Sequence, residues 1–190
     1  MEKLSIPNEY LGNYRKEVLS VDDASMLCAL LQSKMSHDPS TQVGACLVDE
    51  RGVILSTGYN RPTLSWNINS FPWERNVSEI GEENTKYPYI CHAELNCLCG
   101  INVSRDVLSR STLYVTLFPC KECAKVIIQS GIKRIVYLDD FYAHLLETRC
   151  SKLLLEKSGI ECISFRDITS IEDCSIEFGE KAVVNTRKRE

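Results

Sequence analysis

Two short stretches bring together side chains that bind soft metals and move protons. They are Cys91-His92-Ala93-Glu94 and, after 24 intervening residues, Pro119-Cys120-Lys121-Glu122-Cys123. The chain has only three histidines, so one beside a glutamate and ahead of a Cys-x-x-Cys pair is informative as a conjunction. Alone, a histidine near a helix start is more often a satisfied polar core residue, and a lone Cys-x-x-Cys is redox-active or simply buried. Cys120 and Cys123 are three apart, so in the first turn of a helix their thiols lie on one face and can share one ion. His92 also precedes a predicted helix, and the positive ends of the two helix dipoles favour thiolate, the species that binds metal. Two cysteines and one histidine make three protein ligands, which leaves the fourth position of a zinc ion for water or substrate; this is a catalytic count, not a structural one. Glu94 is poorly placed as a fourth ligand on the same helix face but can sit beside the open position and move protons.

His-x-Glu followed by Pro-Cys-x-x-Cys is the signature of the zinc nucleobase deaminases, and on those residues the chain resembles them. The resemblance narrows with Thr41-Gln42-Val43-Gly44-Ala45, Gly58-Tyr59-Asn60, Pro72-Trp73, Lys86-Tyr87-Pro88-Tyr89, His92-Ala93-Glu94-Leu95-Asn96, Leu117-Phe118-Pro119-Cys120 and Gly131-Ile132-Lys133. These follow one another as in the deoxycytidylate (dCMP) deaminases, over residues 20–180. That resemblance implies a cytidine deaminase-like α/β fold, with a mixed five-stranded sheet sandwiched by helices. It implies hydrolytic deamination of dCMP to dUMP and ammonia, with one catalytic Zn2+ per chain held by His92, Cys120 and Cys123 and with Glu94 as the catalytic proton shuttle. It further implies substrate contacts from Asn60, Ala93 and Tyr142, a homo-oligomer, and dCTP and dTTP as effectors.

The sequence departs from the family pattern in three places. After Asn60 it reads Arg61-Pro62-Thr63-Leu64-Ser65-Trp66-Asn67-Ile68-Asn69, where the family builds part of its effector site. Lys34 and Met35 stand where an arginine usually precedes the Ser-x-Asp-Pro stretch, and Ala143-His144-Leu145 follows Tyr142 in place of His-Asp-Ser. Lys34 or Arg61 is therefore the expected cation for a substrate phosphate. Two further functional readings stand beside dCMP deamination: a deaminase shifted toward another cytosine nucleotide or nucleoside, and a zinc-stabilised regulatory subunit without turnover.

The elements that must position these residues are legible from periodicity and caps. Ser20 followed by Asp22 and Asp23 predicts the start of a helix running to about residue 35. Residues 43–49 and 53–58 read as the strands of a tight hairpin. Residues 60–90 form a long segment broken by Pro62, Pro72, Gly81 and Pro88, of the length that is often functional. Beyond it helices at 93–98, 121–130 and 145–158 alternate with strands at 112–117, 134–138 and 160–165, with Gly131 and Gly159 closing the last two helices. This alternation predicts a sheet whose later strands are parallel. Residues 176–178 could add a short strand.

Length and composition bound the rest. A chain of 190 residues with 44% hydrophobic content suits one domain, placed at residues 20–180 between an N-terminal extension (1–19) and a C-terminal tail (181–190). The formal net charge of -4 gives no broad footprint for a phosphate backbone, so no nucleic-acid partner is expected. No apolar run reaches the length of a membrane span, and the N-terminus lacks the apolar core of a signal peptide; the expected setting is the cytoplasm, with no membrane partner. Most of the ten cysteines lie in apolar runs and are expected as reduced, packed thiols.

Overall fold

Ser20 opens the first helix as its sequence demands: its hydroxyl oxygen accepts from the Asp23 backbone N–H at 3.0 Å, satisfying one of the donors that a helix start leaves free. Helix α1 runs Val21–Ser33, two residues shorter than expected. The computed structural model describes Gly12, residues 14–169 and Ile171, and the backbone of residues 175–177 and 183–185. Strand β1 (Gly44–Val48) and strand β2 (Ile54–Tyr59) form the expected antiparallel hairpin. Asp49 closes its turn, accepting from the backbone N–H groups of Arg51 and Val53, each at 2.9 Å.

The long segment that follows is anchored at both ends. Strand β3 (Arg61–Pro62) pairs antiparallel with β4 (Ile90–Cys91), and between them lie the four-residue helix α2 (Val77–Ile80) and two 3-10 turns. Trp66 packs on Phe71 and Tyr89 with ring centroids 5.3 and 5.0 Å apart, and Phe71 packs on Trp73 at 4.5 Å. An aromatic cluster of this kind gives an otherwise irregular segment its own small core. The chain then runs through α3 (Ala93–Cys99), α4 (Arg105–Arg110), β5 (Thr112–Leu117), α5 (Lys121–Ser130), β6 (Arg134–Asp139), α6 (Leu146–Lys157) and β7 (Glu161–Ser164). Gly131 takes the left-handed conformation at the end of α5, at φ 97°, and returns its N–H to Ile128 O. Strands β8 (Ser175–Glu177) and β9 (Val183–Asn185) pair antiparallel, so the strand expected at 176–178 begins one residue earlier; Phe178 lies outside the described residues.

The central sheet has the order β2-β1-β5-β6-β7. Its β1–β2 and β1–β5 pairs are antiparallel and its β5–β6 and β6–β7 pairs parallel, which is the mixed five-stranded sheet expected. Strand alternation divides the core into two. Ala45, Leu47, Leu113, Val115 and Ile135 point toward α3, α5 and α6, where they meet Ala93, Cys97, Ala124, Ile127 and Leu155. Cys46, Val48, Tyr114, Val136 and Leu138 point the other way, onto Met26, Leu27, Ala29 and Leu30 of α1. The sheet is therefore sandwiched. Two glycines let the layers approach: Gly44 faces the backbone of α1, and Gly58 faces the backbone of α3.

Candidate active site

The site forms where two helices begin on the same face of the sheet. His92 is the residue that caps the start of α3, and Cys120 caps the start of α5. Both starts are held by neighbours. Asn96 donates its amide hydrogens to Tyr59 O at 2.9 Å and to Cys91 O at 3.2 Å, tying α3 to the end of β2. Phe118 N–H donates to Asp139 O at 2.8 Å, and the buried Ser151 hydroxyl donates to Pro119 O at 2.7 Å, fixing the Pro-Cys turn against β6 and α6.

Those supports bring the three donor atoms together. His92 Nδ1 lies 3.4 Å from Cys120 Sγ and 3.5 Å from Cys123 Sγ. All three donor atoms fall within 4.8 Å of one another. Tetrahedral zinc, with Zn–S near 2.3 Å and Zn–N near 2.0–2.1 Å, requires a nitrogen-to-sulfur separation of about 3.5 Å. The donor types and spacings therefore fit zinc with Nδ1 as the histidine donor. The three groups are also coupled to one another through shared hydrogen bonds. The Cys120 thiol is lowered to about 3 by the hydrogen bond from Cys123, with His92 adding to it against the cost of burial. His92 is raised to about 9, chiefly by its hydrogen bond to Cys120. Cys123 is pushed up by bonding to Cys120 and by burial. Thiolate and neutral imidazole are the forms that ligate zinc, so a metal ion bound there would take the place of the protons these groups share.

Glu94 is buried, 4% exposed, and burial raises its pKa above the ordinary carboxylate range. It opens with His92, Ala93 and Cys120 into a cavity of about 420 Å³, which is the size of a small-ligand site. Asn60 and Tyr142 line the same cavity, so the expected substrate contacts are brought to the metal set; Cys123 lies behind it, on the His92 side. The Asn60 side chain is largely engaged by the protein itself. Its Nδ2 donates to Thr41 O at 2.9 Å and to Asp38 Oδ2 at 3.3 Å, while its Oδ1 accepts from Val43 N–H at 2.8 Å. What remains for a ligand is the second lone pair of Oδ1, an acceptor.

Three residues missed from the sequence also line the cavity: Asp38, Lys86 and Arg75. Lys86 and Asp38 are both buried, with Nζ 2.7 and 2.5 Å from the two carboxylate oxygens. Asp38 also accepts from the backbone N–H groups of Ser40 and Thr41 and from Asn60, so one buried ion pair sets the shape of the Asn60 side of the cavity. The pairing joins residues 48 apart in the chain, and a lysine in a segment rich in glutamate and proline gives no local signal of burial. The phosphate cations expected from the sequence are not part of the cavity wall. Lys34 is exposed at the end of α1, and the Arg61 guanidinium stands over the Tyr59 ring, 5.8 Å from its centroid.

This is the arrangement of a zinc-type hydrolytic deaminase. The family model described as the cytidine and deoxycytidylate deaminase zinc-binding region matches residues 19–139. A protein from Mus musculus named deoxycytidylate deaminase is 41% identical over 155 residues, spanning 82% of this chain and 83% of that one. A probable deoxycytidylate deaminase from Drosophila melanogaster is 43% identical over 150 residues, spanning 77% of this chain and 73% of that one. Among solved structures, dCMP deaminase from the cyanophage S-TIM5 in complex with dCMP and dUMP is similar, with a TM-score of 0.57 and 26% identity, covering 76% of this chain and 96% of that one. The chain belongs to the cytidine and deoxycytidylate deaminase family.

Proposed function

We propose that the protein converts dCMP to dUMP and ammonia by hydrolysis at C4 of the cytosine ring, within a deaminase domain at residues 20–180. The observation that carries this reading is the buried Glu94 opening into the same cavity as the His92, Cys120 and Cys123 donor set. The relatives named deoxycytidylate deaminase, and the similar structure that holds dCMP and dUMP, support the choice of substrate.

In this reading His92 Nδ1 and the sulfurs of Cys120 and Cys123 would hold zinc. Zinc bound there would supply Lewis acidity, which lowers the pKa of a water molecule toward about 7. Glu94 takes the proton that this water loses as its oxygen bonds to C4, and passes it to N3 of the ring. The same carboxyl then carries the proton of the new C4 hydroxyl to the exocyclic amine, the C4–N bond breaks as the C4 carbonyl forms, and ammonia leaves a uracil ring behind. Burial suits Glu94 to this exchange, because raising a carboxyl's pKa makes its carboxylate a stronger base toward the water proton. Asn60 accepts from a sugar hydroxyl, Ala93 forms the floor beneath the ring between His92 and Glu94, and Tyr142 closes the outer wall. A cytoplasmic homo-oligomer that responds to dCTP and dTTP belongs to the same proposal.

Ammonia release measured in parallel on dCMP, deoxycytidine, cytidine, CMP and dCTP tests the substrate. The highest kcat/KM on dCMP supports the reading, and faster turnover of deoxycytidine or dCTP contradicts it.

A further inference from the structure

The cavity wall holds two basic side chains besides His92, and they differ in what they are free to do. Lys86 is buried and committed to both oxygens of Asp38. Arg75 is exposed at the rim, and among the described residues no carboxylate pairs with it. Its Nε donates to the Tyr87 hydroxyl at 3.2 Å, and the Tyr142 hydroxyl is its other neighbour. The carboxylates facing the cavity are otherwise occupied. Asp38 is matched by Lys86, Glu147 by Lys121 at 2.7 Å, and Glu94 stands beside His92 and the thiols.

Resting on the reading of this cavity as the site of a cytosine deoxynucleotide, we infer that Arg75, flanked by Tyr87 and Tyr142, is the phosphate-binding and specificity-determining residue, selecting a nucleoside 5′-monophosphate over the nucleoside. A guanidinium fork matches two phosphate oxygens at once and keeps its charge at any working pH. The Tyr87 hydroxyl accepts from Arg75, so its own hydrogen remains to donate to a phosphate oxygen, and Tyr142 offers a second such donor. The cation needed beside the substrate thus comes from the long segment after β3, on an element different from Lys34 and Arg61. With a single unpaired guanidinium among the described lining residues, the set suits one phosphate group.

The test compares wild type, Arg75→Ala and Arg75→Lys as zinc-loaded full chains. Turnover is measured on dCMP and deoxycytidine, and calorimetric binding on the products dUMP and deoxyuridine. Arg75→Ala is expected to raise the KM for dCMP and the Kd for dUMP by roughly 10- to 100-fold, the range for losing a charge-assisted hydrogen bond. The ratio of dCMP to deoxycytidine kcat/KM should fall by the same factor, with Arg75→Lys recovering part of it. An equal loss on nucleotide and nucleoside, or no change in the ratio, overturns the role of Arg75 while leaving dCMP as the substrate. A wild-type protein that binds dUMP no better than deoxyuridine, and turns over dCMP no faster than deoxycytidine, overturns the nucleotide reading and this assignment with it.

Discussion

Replacing Gly58 with alanine puts a methyl group where helix α3 already lies. A Cβ built there falls 2.4 Å from Ala93 O, 2.5 Å from Cys97 N and 2.9 Å from Cys97 Cα. Ordinary contact begins at 3.4 Å, so β2 and α3 must part by about 1 Å. All three obstructing atoms are main chain, and no change of rotamer removes them. Overpacking of this kind costs about 1–3 kcal/mol. The larger consequence is for the site, because α3 carries His92 and Glu94 while Cys120 and Cys123 ride on α5. A shift of about 1 Å between the two helices separates the three donor atoms and moves Glu94, the proposed proton carrier, which lowers the rate by about 10²-fold. Gly44→Ala supplies the comparison. Its Cβ would fall 1.9 Å from Ala29 O and 2.6 Å from Ser33 N, a worse clash but with α1 on the opposite face of the sheet. Urea unfolding, zinc per chain and ammonia release from dCMP should be measured on both variants under conditions where each is folded. Both are expected to lose stability, with Gly58→Ala losing zinc and turnover well beyond Gly44→Ala. Wild-type zinc content and turnover in Gly58→Ala would refute the argument that the β2–α3 approach sets the site.

Two further outcomes test the rest of the structure. Lys86→Met leaves Asp38 buried without its cation and should cost about 3 kcal/mol in urea unfolding, the low end for a broken buried pair, because Asp38 keeps its backbone N–H donors; a loss under about 1 kcal/mol would show that the pair does not support the cavity. Burial, and then the hydrogen bond to Asp22, raise the Tyr114 hydroxyl to about 12 from its ordinary value of 10.0, so its contribution to stability is complete below pH 10 and is lost as pH rises through 12. The stability difference between wild type and Tyr114→Phe should therefore be constant from pH 8 to about 10 and shrink above it, and a difference that stays flat to pH 12 would contradict the shift.

What was legible in the sequence follows from where the physics is local. The apolar run of β1 marked a strand, which the structure covers on both sides, with Ala45 and Leu47 on one face and Cys46 and Val48 on the other, and Ser20 and Gly131 marked helix ends through their own hydrogen bonds. The donor set was equally local, since Cys120 and Cys123 share one helical turn and His92 opens another. Helix α4 was missed because Leu108 is its one buried residue, which leaves no apolar stripe to detect. The two-residue pairing of β3 with β4 exists only because the ends of the long segment meet, as Arg61 opposite Cys91 and Pro62 opposite Ile90. Lys86 and Arg75 were hidden for the same reason: what separates a buried ion-pair partner from a free guanidinium at a cavity rim is the chain's three-dimensional path, and both read alike as surface charges in an acidic, proline-broken stretch.

In the proposed function Glu94 moves protons beside a zinc ion held by His92, Cys120 and Cys123. This role is tested most directly by measuring zinc content and ammonia release from dCMP on the same preparation of Glu94→Gln. The expected result is one zinc per chain, an unfolding transition close to wild type, and turnover lower by about 10³-fold, within the range that positioned acid–base groups contribute. Turnover near the wild-type rate with zinc in place would contradict it.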